Sequence, residues 1–181
     1  MTMEFEELDD ATRRSMLEEF EAEESGGSPY RSPNLNADGI AAFPDAMRSA
    51  IQQGNEETLA AALNDPSLWN ETEPWTRQGV PQKPRRINVR QQSERLALTE
   101  FNTWYVRGLC RRLLDEGAAE CQVYRGEQPK WEPAECAEHE GILLSVQEVY
   151  AGHRARYWPT ENPTAISVPF GPNCHHTIRR I

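Results

Sequence analysis

The sequence predicts an α+β protein: a helical N-terminal half and a long amphipathic helix, followed by a small strand-containing module clamped by cysteine and histidine pairs. Three observations carry this. Apolar residues recur at spacings of three and four over residues 90–116. After Gly117 the period falls to two, in Cys121-Gln122-Val123-Tyr124. Cys136 with His139, and Cys174 with His176, make two close pairs from a chain holding only four cysteines and four histidines.

The chain has 181 residues, of which 38% are hydrophobic. That is below the roughly 45–50% of a compact globule, so part of the chain is expected to be extended or wrapped on a partner. Residues 1–25 hold ten acids against Arg13 and Arg14. With Phe5, Leu8, Ala11, Met16 and Phe20 they give a weak helical pattern, and the excess charge favours an acidic arm that orders on a partner. Residues 25–40, SGGSPYRSPNLNADGI, read as a linker, so that residues 1–42 form an arm plus a flexible connection.

Residues 43–92 read as a helical hairpin and an extended basic connection. Pro44 suits a first helical position, and Ala46, Met47, Ala50 and Ile51 share a face. Gln53-Gly54 ends that helix, Asn55 caps the next, and Asn64-Asp65-Pro66 stops it. Residues 65–88 lack periodicity and carry four prolines (Pro66, Pro74, Pro81, Pro84) with the cations Lys83, Arg85 and Arg86.

Residues 93–181 form the third unit. Leu98, Phe101, Tyr105, Leu109 and Leu113 mark a buried stripe, Trp104 and Cys110 broaden it, and Gly117 supplies the stop. Cys110 reads as a small core residue. Ile142-Leu143-Leu144 is a short apolar run, Ser145 has capping-box spacing to Glu148, and a short helix ends near Gly152. Ala165-Ile166-Ser167-Val168 is the last expected strand, and His153 reads as a surface residue.

No apolar run approaches the 18 or so residues of a membrane span, and MTMEFEELDD has the features of no secretion signal. Cysteines near histidines in a reducing compartment read as metal ligands before disulfides. Cys136, His139, Cys174 and His176 supply two sulfurs and two nitrogens on two small turns, the donor set of a structural zinc. The competing reading is a buried Cys136 thiol, with His175 and His176 capping a surface turn. The net charge of −10 argues against nucleic-acid binding by the whole surface. Lys83, Arg85, Arg86 and Arg90, with Arg179 and Arg180 at the end, are the local candidates for phosphate contact, against a solvated face or counter-charge to the acidic arm.

The pieces LALTEFNTWYVRGLCRRLLDEG, CQVY, CAEHEG and GPNCHHTI, in that order, resemble the C-terminal module of phage head morphogenesis proteins of the Mu F-like type. That pattern has a helix with a Thr-Glu pair, a strand, C-x2-C-x4-G, and a closing H-P-N-C-R-C-T turn. Thr99 and Glu100 fall on the Thr-Glu pair, Cys136 and His139 on the cysteine pair, and Gly141 on the glycine, with one intervening residue where the pattern has four. Pro172-Asn173-Cys174 falls on the last turn and His176 on its final cysteine, while Gly171 replaces a histidine and His175 an arginine.

The resemblance implies a non-enzymatic minor head protein of a tailed bacteriophage. It would act in capsid assembly at the portal vertex, in several copies, against portal or capsid proteins and in contact with packaged DNA. Its place would be the virion, after assembly in the host cytoplasm. Two other classes stand against it: a zinc-stabilised nucleic-acid-binding regulator using the six basic residues, and a cysteine-dependent hydrolase.

Overall fold

A computed structural model of the chain describes residues 2–128, 136–156, 161–171 and 174–181, with the side chain of Cys136 outside that set. The architecture is α+β. Helix α4, Val89–Asp115, is the axis of the molecule. Asn88 caps it, its side chain accepting the Gln91 N–H at 3.2 Å. The sequence shows one apolar stripe, but Glu100 to Val106 are all buried in succession. A helix buried all round is one that other elements enclose. Here α1 (Asp10–Ser25) and α3 (Glu56–Leu63) pack on it, with α6 (Val146–Ala151) and strand β7 (His176–Arg180) against other parts of its surface.

The acidic arm expected at residues 1–42 is instead a core helix. Asp9 caps α1 by accepting the Thr12 N–H, and Thr12, Met16 and Phe20, four residues apart, are buried. Phe20 meets Trp104 edge to face, with ring centroids at 5.2 Å. Glu19 and Glu23 face inward as well, because arginines of neighbouring elements wait there. Helices α1 and α4 approach closely at Gly108, where an added Cβ would stand 2.5 Å from Met16 Cγ and 2.6 Å from its backbone nitrogen.

The second helix also departs from expectation. α2 runs over Ala37–Gln53 and starts at Asn36, whose side chain accepts the Gly39 N–H at 3.0 Å. Pro44 sits inside it, and the carbonyl four residues earlier belongs to Ile40, which is exposed, so water can serve the acceptor that proline cannot. Part of the supposed linker is therefore helix. The start of α3 agrees with the sequence: Asn55 and Thr58 form a reciprocal cap.

Residues 65–88 do fold. After a 3-10 turn at Pro66–Leu68, strand β1 (Thr72–Glu73) pairs antiparallel with β4 (Arg85–Arg86), and β2 (Thr76–Arg77) with β3 (Val80–Pro81). Gln78 and Gly79 close the tip with φ of 50° and 79°, the two positive values a twisted two-residue hairpin needs. Glu73 ties the ribbon to the body, accepting from Asn34, Gln92 and Arg85 at 2.8–2.9 Å.

The C-terminal sheet has the order β6-β5-β7, with β5 at Glu120–Arg125 and β6 at Leu143–Ser145. β7 lies antiparallel to β5, from Arg125 opposite His176 to Cys121 opposite Arg180. The strand expected at 165–168 is absent; Ser167 and Val168 are buried in non-strand conformation. The terminal HTIRR takes the edge instead, since Thr177 and Ile178 are β-branched and both fully buried. The N-terminal segment straps this sheet, with Glu4 N–H on Gly126 O at 2.9 Å and Glu7 N–H on Tyr105 Oη at 3.2 Å. No helix among the described residues is long and apolar enough to cross a membrane.

Candidate functional site

Strand β5 positions both cysteine-histidine turns. The first turn is the short helix α5, Cys136–His139, and Gly141 N–H after it donates to Val123 O at 2.9 Å. The second is the segment entering β7, where His175 O accepts the Gly126 N–H at 2.9 Å. Arg125 and Glu140 add an ion pair across the same corner.

Three of the four expected ligands meet here. Cys174 Sγ lies 3.4 Å from His176 Nδ1. The His139 and His176 rings stand edge to face with centroids 5.7 Å apart, and His139 stacks on Phe170 at 4.1 Å. A tetrahedral zinc with bonds of about 2.3 Å to sulfur and 2.0–2.1 Å to nitrogen has a sulfur-nitrogen edge of about 3.5 Å. The Cys174–His176 spacing matches that edge and is equally a thiol-imidazole hydrogen bond. Among the described residues no three His, Cys, Asp or Glu side chains form a group that could hold a metal ion. The described residues therefore do not assemble a metal site, although the donor types and the Cys174–His176 spacing are those zinc uses. Completing it takes Cys136 and a rotation of the His139 ring away from Phe170. His175 stands apart, 3.8 Å from Glu127. Pro172 and Asn173 of the resemblance lie outside the described residues.

The remaining cysteines are core residues. Burial pushes the Cys110 thiol well up and the Cys121 thiol up to about 11, so neither is an activated nucleophile.

The six basic residues do not form one surface. Lys83, Arg85, Arg86 and Arg90 are exposed on or beside the ribbon, with Arg85 paired to Glu73 and Arg90 to Glu94. Arg179 and Arg180 are partly exposed and pair within the chain. Arg179 bonds Gln122 and Glu6 and lies over the Tyr124 ring, and Arg180 pairs with Glu7 and Glu116. The tail carries counter-charge to the acidic N-terminus.

Sequence reasoning missed a buried ionic cluster on the far side of α4. Arg154 Nη1 and Nη2 donate to the two oxygens of Glu100, the acid of the Thr-Glu pair, at 3.1 and 2.7 Å, and both side chains are under 4% exposed. Glu19 accepts from Arg107 at 2.6 Å and from Tyr150 Oη at 2.8 Å. His153, expected at the surface, is largely buried against Trp104 and lies 3.2 Å from Glu23. Burial, with the charges of Arg154 and Arg107, lowers its pKa to about 4 despite Glu23. For Glu23, burial acts upward, but the His153 hydrogen bond and Arg154 prevail and hold it at about 2. Glu19, Ala22, Glu23, Trp104, Arg107 and His153 line an open cleft of about 250 Å3. Its carboxylates are occupied by the arginines, tyrosine and histidine around them, so it is braced rather than poised for reaction. The available signal was the i, i+4 pair Glu19 and Glu23, on the face shared by Met16 and Phe20. Comparison with known proteins returns no match to this chain: no family model, no curated protein and no solved structure.

Proposed function

We propose that the chain is a structural minor head protein of a tailed bacteriophage, docking to portal or capsid proteins in several copies during assembly, with no catalytic centre of its own. The observation that carries this is the convergence of the two Cys/His turns on β5, which brings His139, Cys174 and His176 side by side. The resemblance to the Mu F-like module rests on those same pieces, and their order in sequence becomes one corner in space. In this reading Cys136, His139, Cys174 and His176 hold a structural zinc that closes the corner and contributes folding free energy to it.

The experiment is affinity capture with the folded chain as bait, against portal and capsid proteins encoded beside it. Retention of a portal ring is the expected result; a folded bait that retains neither overturns the reading. The zinc is tested separately by elemental analysis of protein purified without added metal. About one zinc per chain is expected, lost in a Cys174→Ser variant. Metal-free protein whose melting is unchanged by that substitution removes the zinc.

The regulator reading loses Arg179 and Arg180 to intramolecular pairing and keeps only the ribbon. The hydrolase reading has one described thiol beside an imidazole, Cys174, and predicts rapid alkylation there at neutral pH.

A further inference from the structure

We infer that the ribbon at residues 72–86 is a binding arm for double-stranded DNA. The inference stands on the charge distribution and does not require the head-protein reading.

Many of the arginines outside the ribbon pair within the chain. Arg31, Arg48, Arg107, Arg112, Arg154 and Arg180 each meet a carboxylate of the same chain. On the ribbon, Arg77, Lys83 and Arg86 are exposed and, among the described residues, meet none. Residues 74–90 hold Arg77, Lys83, Arg85, Arg86 and Arg90 and no acid, in a chain of net charge −10. The rest of the chain is therefore at −15, so five positive charges are set on an acidic body.

Three of them stand on the ribbon and, among the described residues, meet no carboxylate: Arg77 beside the Gln78-Gly79 turn, and Lys83 and Arg86 on the returning side. Arg85 is paired to Glu73 at the base, and Arg90 belongs to the first turn of α4.

The ribbon's chemistry selects the kind of anion. A protein partner docks on a desolvated apolar centre, and here the apolar side chains are exposed Val80 and half-buried Trp75, the latter fixed by Nε1 donation to Lys83 O at 2.7 Å. Strand addition is blunted by Pro74, Pro81 and Pro84, which remove backbone donors from the edges. What remains is a row of exposed cations and, at the tip, the hydrogen-bonding side chains of Thr76, Gln78 and Gln82. A two-stranded ribbon fits the major groove of B-form DNA and not the deep, narrow major groove of duplex RNA. The cations then contact phosphates flanking the groove.

Fluorescence anisotropy of a short labelled DNA duplex with the full chain tests this. Binding is expected at about 50 mM salt, with a log–log salt slope of about −3 from three neutralised phosphates, so affinity falls roughly 40-fold by 200 mM. The R77Q/K83Q/R86Q variant loses at least tenfold in affinity and most of the slope, with unchanged melting because these three side chains are exposed and, among the described residues, meet no carboxylate. An R14Q/R156Q control, which removes exposed cations elsewhere, binds as the parent does. Three results overturn the proposal: no binding at about 50 mM salt, ribbon variant and parent binding alike, or single strands or RNA duplex bound more tightly than DNA duplex. A ribbon-dependent self-association seen by sedimentation, without DNA binding, overturns it in favour of a second copy of the chain as partner.

Discussion

The ionic cluster beside α4 and the ribbon at 72–86 are both rich in arginine and treat it in opposite ways. Arg154 is enclosed, fixed by both oxygens of Glu100 and by Glu23, with its guanidinium 5.0 Å from the Tyr30 ring and 5.2 Å from Trp104. Arg86 is exposed and, among the described residues, has no carboxylate against it. The difference lies in how each charge is solvated. A guanidinium taken out of water must have its hydration replaced by fixed acceptors, which ties it to one geometry and so to the fold. One left in water contributes little to stability and keeps its charge available to another molecule.

The sharpest way to break this contrast is to remove one partner of the buried pair. Glu100→Ala leaves Arg154 enclosed without its bidentate acceptor and is expected to cost about 3–5 kcal/mol in chemical denaturation. The double replacement Glu100→Leu with Arg154→Met should recover most of that loss. If Glu100→Ala costs under 1 kcal/mol, the pair is not the anchor described. Next in size is the seam that brings α1 to the cluster. Gly108→Ala drives a methyl into Met16 and is expected to cost about 1–3 kcal/mol, read as a lower melting temperature; an unchanged value means α1 is free to move outward.

A smaller effect is the pH response of His153. Its folded pKa of about 4 is below its ordinary 6.5, so the unfolded chain binds the proton more readily. Stability from the neutral, buried ring is present above about pH 6.5 and is lost as pH falls toward 4. Glu23, held at about 2, adds a loss in the same direction below its ordinary 4.5. A His153→Gln variant should show a flatter melting profile between pH 6.5 and 4, and an unchanged slope would assign the response elsewhere. The smallest effect sharpens the other side of the comparison. Arg86→Gln is expected to shift stability by no more than about 0.5 kcal/mol while weakening DNA binding.

Much of this was legible in local sequence. The 3.6-residue period of α4, the Asn55 cap of α3, the alternation of β5 and the Ser145 start of α6 are short-range signals, and each element forms where its signal stands. The acidic helix was not legible as core, because Glu19 and Glu23 are tolerable in a core only if Arg107 and Arg154 arrive from elsewhere. The terminal strand was misplaced for the same reason: HTIRR becomes an edge only because β5 offers one. Within the candidate site, the residue types and paired spacing of Cys136, His139, Cys174 and His176 were in the sequence, but their meeting was not.

By itself, then, the sequence determined what a few consecutive residues decide: periodicity, caps, turn residues, donor types and the acid-free run at 74–90. Tertiary structure decided which charges are spent and which are left over. That outcome depends on contacts between residues such as Glu19 and Arg107, or Glu7 and Arg180, far apart along the chain. No local pattern encodes those distances, since the energy of a charge is set by what surrounds it in space.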